Sequence, residues 1–365
     1  MSVRPKLLLA AFLFGWTGAG CQHVLPKFAH IAKSERLDGT SPRSISSAPN
    51  GERWLVVREL TDALLYTDLS SAPKLRELPR LVRGGFLDDE RVFLASADTV
   101  DIWNASFDER LVHEQIPTAP DPHLPGDLLQ VSPSGRFIAK DIAVYDTHER
   151  RWLALAARHG HQSVLEFSGD AWLLSGGFWD ERIVLRSLTD DTLREWSTPD
   201  KITSATFDPA SGWIFVGTKG GAFAYHKDGD AQGRKVASGE IVDVALFDEG
   251  RALAVLSVRH LKVIDTKSLR ERASFRLEAE GRALSADGTL VAAGDSEGRV
   301  YAWDGREARL LASEMVLPGL VISIAVNARV RRALAASSDA RAVNLVMLTL
   351  PGLVASPAVV SAPRD

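Results

Sequence analysis

A few side chains in this 365-residue chain are of types, and at spacings, that could do chemistry. His159-x-His161 is one such pair. On an extended segment residues two apart point to the same face, and two imidazoles side by side are the beginning of a metal site. A third ligand would be needed, and His123 or Asp180 could reach the pair only through the fold. The other reading makes one histidine a buried hydrogen-bonding group and the other a surface residue. The run G-G-F-W-D-E, Gly176 to Glu181, sets Phe178 and Trp179 beside Asp180 and Glu181 in a predicted turn. Two large rings at a loop tip have no periodic face to bury into, and such aromatics anchor partners; folding back to cap their own sheet is the alternative. Phe178, Trp179, Asp180, Glu181, His123 and His159 are therefore the candidate partner-binding residues. Cys21, the sole cysteine, follows Gly18-Ala19-Gly20.

These residues are positioned by a repeated unit, clearest from Leu284 to Asp304. There a polar Asp-Gly turn leads into a small apolar run, and a second glycine turn leads into an alternating run that ends in Trp303-Asp304. Glycine supplies the positive φ of tight hairpin turns, so the unit reads as strand, turn, strand, turn, strand. Its third-strand aromatic or apolar position recurs at Tyr66, Trp103, Tyr145, Leu185, Tyr225, Ile264, Trp303 and Met347, separated by 37, 42, 40, 40, 39, 39 and 44 residues. Matching turns precede them at 47–51, 86–90, 131–135, 167–170, 207–212, 247–250 and 285–288, and the eighth, V-N-A-R-V at 326–330, lacks glycine. A unit this small cannot cover both of its faces, so copies must stack. Acidic runs such as Asp88-Asp89-Glu90 are expected at solvated tips. Trp54, Trp103, Trp172, Trp213 and Trp303 lie in strand patterns and are expected in the core.

Forty-residue repeats with a Ser/Asp-Gly turn and a Trp-Asp ending resemble the WD-repeat β-propellers over 41–350. The resemblance implies an all-β fold, a single propeller of eight four-stranded blades, with seven as the alternative. The chain then divides into an export signal at 1–20, a tether at 21–40 and the propeller at 41–365. Ring closure needs a last outer strand, from Val24 to Ile31 or from Val354 to Ala362. The family's buried Asp-His-Ser/Thr-Trp hydrogen-bonded set does not assemble from matching positions in any one repeat. Gly160-His161 is the match to its Gly-His, which makes His161 the buried histidine. The Pro117 to Asp127 insertion, the Arg158 to His161 connection and the Gly176 to Glu181 loop should converge on one face.

Catalytic signatures do not accumulate. G-x-x-x-x-G-K-[ST], H-E-x-x-H, G-x-S-x-G and paired cysteines do not occur. Ser71-x-x-Lys74 has neither S-D-N nor K-T-G to complete a penicillin-binding motif. Quinoprotein propellers carry a repeated Thr-Gly before tryptophan that this chain does not have, so no cofactor is implied. No metal and no catalytic residue is assigned.

The formal charge is −4, and −6 once Arg4 and Lys6 leave with the signal, which argues against a nucleic-acid partner. Those two cations, the apolar run Leu7 to Trp16 and the small residues before Cys21 fit an export signal. Together with Cys21 they resemble the bacterial lipoprotein box, with Gly18 where that box usually has leucine; plain secretion with an incidental Cys21 is the alternative. The resemblance implies lipidation at Cys21 and, with Gln22 next, the outer membrane of a two-membrane host, facing the periplasm or exterior. The expected role is a non-enzymatic binding scaffold of the cell envelope with a protein partner. In general plan it resembles the propeller lipoproteins of outer-membrane assembly. The rival is an enzyme or small-molecule binder of lactonase or quinoprotein type using the central channel; fold alone does not decide. Replacing Cys21 by serine should move the protein from the membrane pellet to the soluble fraction, and a variant that pellets as firmly as wild type contradicts the lipid anchor.

Overall fold

The computed structural model describes residues 26–351 except 34–36, 39–41, 59–60, 68, 79–80, 97, 117–127, 141–142, 154–158, 160–161, 191, 230–231 and 340–341. All regular elements in these residues are strands, arranged as eight antiparallel sheets. Seven of the sheets are meanders whose first strand lies innermost and whose fourth lies at the rim, and the eighth has the same strand order with its outer strand supplied from elsewhere in the chain. Blade one is Pro42–Ser47, Trp54–Arg58, Asp62–Tyr66 and Lys74–Glu77. Blade four is Gln162–Ser168, Trp172–Gly177, Arg182–Ser187 and Leu193–Ser197. The molecule is thus an all-β, eight-bladed β-propeller, and all eight third-strand positions read from the sequence lie on third strands.

The eight inner strands touch in sequence around the ring, and that of blade eight, Val321–Asn327, lies against that of blade one. The core follows this division. It consists of eight apolar clusters, one in every seam between neighbouring blades. Trp54 and Trp303 are buried as expected, whereas Trp103, Trp172 and Trp213 are half-buried at seam edges. Trp196, on an outer strand, is buried in the seam between blades four and five.

The predicted turns all fall between first and second strands, and where glycine occurs it takes positive φ, as Gly135 does at 83° and Gly212 at 77°. Blade eight uses other chemistry. Its Asn327 is buried, accepts Val330 N–H at 3.2 Å through Oδ1, and donates from Nδ2 to the Ala48 carbonyl of blade one at 2.9 Å. The acidic tips are also more than solvated loops. Asp89 accepts Asn50 N–H of blade one at 2.6 Å, Asp170 accepts Ser134 N–H across the next seam but one at 3.2 Å, and Asp287 accepts Ala328 N–H of blade eight at 2.7 Å.

Closure is made by the N-terminal segment. His30–Lys33 pairs antiparallel with the third strand of blade eight, Ala342–Thr349, in the register His30 to Thr349, and Leu37–Asp38 continues on the same strand. Blade eight therefore takes its fourth strand from the other end of the chain; residues 354–362 lie outside the described part. Phe28 fixes this clasp by entering the cluster between blades seven and eight, and Ser313 N–H of blade seven donates to the Pro26 carbonyl at 2.8 Å. Truncating a buried phenylalanine costs about 3–5 kcal/mol. Phe28→Ala should therefore lower unfolding free energy by about 3 kcal/mol in urea titrations, and a loss below about 0.5 kcal/mol would show that the clasp does not hold the ring.

Candidate functional site

The loop of blade four emerges between its second and third strands. Gly176 and Gly177 belong to the second strand rather than to the turn, so the loop proper is Phe178 to Glu181. Glycine at 177 has a spatial reason: a methyl group there would overlap Asp180 and His159. Glu181 closes the loop in the left-handed region, φ 51°, and its carbonyl accepts Thr198 N–H at 2.7 Å.

His159 reaches this loop from the connection between blades three and four. Its Nδ1 lies 3.1 Å from Asp180 Oδ2 and its Nε2 3.0 Å from Ser175 Oγ on the second strand. Arg182 stands 3.4 Å from the same Asp180 oxygen. Burial pushes the His159 pKa down, opposed by the Asp180 carboxylate. Its side chain is fully buried, which corrects the expectation of a surface histidine that a partner touches. With both ring nitrogens engaged, His159 has none left for a metal. Residues 160–161, including His161, and residues 117–127, including His123, lie outside the described part, so of the three expected convergences only His159 with the Phe178 to Glu181 loop is seen.

Ser175, His159 and Asp180 have the connectivity of a nucleophile, base and orienting acid. Accessibility decides against that chemistry. Ser175 is 3 % exposed and inside the sheet, so its hydroxyl meets no substrate carbonyl. The set works as a strut instead. It pins Asp180 inward, and its neighbour Trp179 is left 61 % exposed. Trp179 meets Phe178 edge to face at 5.0 Å between centroids, and Lys201 Nζ lies 4.2 Å from the centre of the indole and 5.4 Å from that of the phenyl ring. Lys201 comes from the connection into blade five, where its carbonyl accepts Lys219 N–H at 3.1 Å. Rings and cation form one knuckle, braced from two blades. Asp180 and Glu181 are half-buried behind it.

A second group of polar and charged side chains lines the central channel, and sequence reasoning missed it. A bulge recurs after the first residue of seven inner strands. The residue that follows stands at one level of the channel, occupied by Arg83 of blade two, Ser204 of blade five and Asp243 of blade six. Two residues on, on the same face, come Glu166 of blade four and Thr206 of blade five. Arg83, Glu166, Ser204 and Asp243 border a cavity of about 500 Å³. Ser204 Oγ donates to Asp243 Oδ1 at 2.6 Å, Val244 N–H donates to the same oxygen at 2.8 Å, and Thr206 Oγ1 donates to Glu166 Oε1 at 3.0 Å. Burial inside the ring pushes the Glu166 carboxyl up to about 7 and that of Asp243 up to about 6, with the hydroxyl hydrogen bonds opposing and the Asp243 charge adding to the Glu166 shift. Burial also lowers the Arg83 pKa, and the Arg43 charge adds to that shift.

No family model matches this chain, and no curated protein matches it. Solved structures do. One is the crystal structure of the computationally designed protein Ika8, with a TM-score of 0.65 and 16 % identity, covering 86 % of this chain and 100 % of that one. At that identity the likeness speaks for the fold.

An acid whose folded pKa is raised holds its proton better folded than unfolded, so its ionisation favours unfolding. For Glu166 stability falls as pH rises from about 4.5 to about 7. Between about pH 5 and about pH 8 the wild type should lose about 2 kcal/mol more than Glu166→Gln does, the figure being discounted because Glu166 is only half-buried. Denaturant titrations at the two pH values check this, and parallel losses would contradict it. What the geometry and the comparison establish together is the architecture: the chain is an eight-bladed β-propeller.

Proposed function

We propose that this protein is a non-enzymatic binding platform of the bacterial cell envelope, tethered through a lipid on Cys21, and that it takes a protein partner on the Phe178, Trp179 and Lys201 knuckle. The observation that carries the reading is Trp179. A tryptophan 61 % exposed, packed on a second ring and capped by a cation, is held ready rather than left loose. The strut from His159 to Asp180 and Ser175 fixes the loop before any partner arrives, so little ordering entropy remains to be lost on binding. Desolvated tryptophans at interface centres contribute about 2 kcal/mol or more. The same strut supports a WD-repeat-like kinship, since it supplies Asp, His and Ser of that family's buried set, with Leu185 where the family's tryptophan would stand.

The test is a photo-crosslinking residue at position 179 of the full chain in cells, alongside the Phe178→Ala, Trp179→Ala double variant. The crosslinker should join the protein to a defined envelope protein. The double variant should melt within a few degrees of wild type and no longer retain that protein. A variant that unfolds returns the rings to the core, and one that binds as well as wild type moves the interface elsewhere.

A further inference from the structure

The charges of the central channel are segregated. Glu166 and Asp243 stand on blades four and six, while Arg83, with Arg43 as the neighbouring charge that acts on it, stands on blades one and two. Charged groups inside a ring of low dielectric are normally paired with each other. Here they are not. Each carboxylate is hydrogen-bonded through one oxygen only, Glu166 Oε1 by Thr206 and Asp243 Oδ1 by Ser204 and Val244, so among the described residues Glu166 Oε2 and Asp243 Oδ2 have no protein donor. The guanidinium of Arg83 likewise has no acidic partner among the described residues. All three border the same cavity of about 500 Å³, within the range that holds small ligands. Gln130 of blade three stands between the poles, Ser163 and Thr203 present hydroxyl oxygens whose protons go to the Gly176 and Ile241 carbonyls, and Leu128, Val164 and Val242 offer apolar wall.

An occupant that satisfies this cavity carries a cation at one end, an anion at the other, and a short span of mixed polar and apolar character between. We propose that the channel binds a short peptide as a zwitterion, its ammonium between Glu166 and Asp243 and its carboxylate on Arg83. Ammonium and carboxylate give charge-assisted hydrogen bonds at both poles, and a guanidinium accepts a carboxylate in two parallel bonds. The peptide links meet Gln130, Ser163 and Thr203, and small side chains face the leucine and valine wall. This assignment does not depend on the knuckle of blade four, none of whose residues Phe178, Trp179 and Lys201 lines the cavity.

The test is calorimetric titration of the purified full chain with trialanine, N-acetyl-trialanine, trialanine amide and putrescine. Trialanine should bind at one peptide per chain, and blocking either end should weaken it by about tenfold or more. Arg83→Gln should erase the difference between trialanine and its amide while keeping the penalty for acetylation. Glu166→Gln with Asp243→Asn should do the reverse. Unchanged thermal melts of these variants exclude a folding defect as the cause. Absence of heat with millimolar trialanine overturns the proposal, as does equal binding of the blocked peptides. Putrescine binding as tightly as trialanine, with trialanine binding unaffected by Arg83→Gln, would show that Arg83 contributes nothing, and would overturn it too.

Discussion

Every blade of this molecule has two apolar faces, and each is covered by the blade beside it, so stability depends on the eighth blade meeting the first. Among the described residues nothing else covers those two faces. The seam between blades eight and one is accordingly built from both core and polar contacts: Leu334, Ala336, Leu345 and Met347 pack on Trp54, Val56 and Leu64, and Asn327 donates into the first turn of blade one. The clasp from Phe28 to Lys33 then completes the sheet of blade eight, which would otherwise end on the open edge of its third strand. Closure is also what confers a channel, and with it the low dielectric that raises the carboxyls of Glu166 and Asp243.

The parts of the fold that were legible in the sequence are those with a local physical signature. A third strand carries a large apolar residue followed by a turn, and a first turn carries Asp or Ser with glycine, because hairpin geometry asks for positive φ. Outer strands carry no such signature. They are exposed, their burial alternates weakly, and bulges shift their register, as between Arg110 and Val112 in blade two. Asn327 escaped notice since a buried side-chain amide replaced glycine. Gly176 and Gly177 looked like a turn because glycine is usually read so, whereas here Gly177 leaves room for two side chains arriving from elsewhere.

The candidate sites divide in the same way. Phe178 and Trp179 could be singled out from the sequence, because two rings in a turn violate the pattern around them. His159 was given the surface role and His161 the buried one, since Gly160-His161 matches a familiar dipeptide; the burial of His159 reflects the reach of one particular connection, which dipeptide matching does not encode. The channel groups lie in separate repeats, and each is an ordinary polar residue in its own strand. Only superposition of the repeats by the position after the bulge brings Arg83, Ser204 and Asp243 to one level. That position was the available signal, and it appears once the register of each inner strand is known.

Taking the last outer strand from the start of the chain also decides where the disc is held. Blade four stands half a turn around the ring from blade eight, so Pro26 meets the disc at one rim, beside the outer strand of blade seven, and Trp179 lies near the antipode. A tether through Cys21 would then use the whole disc as a spacer, and the diameter of the ring, rather than the length of the leader, would set the stand-off between anchor and partner.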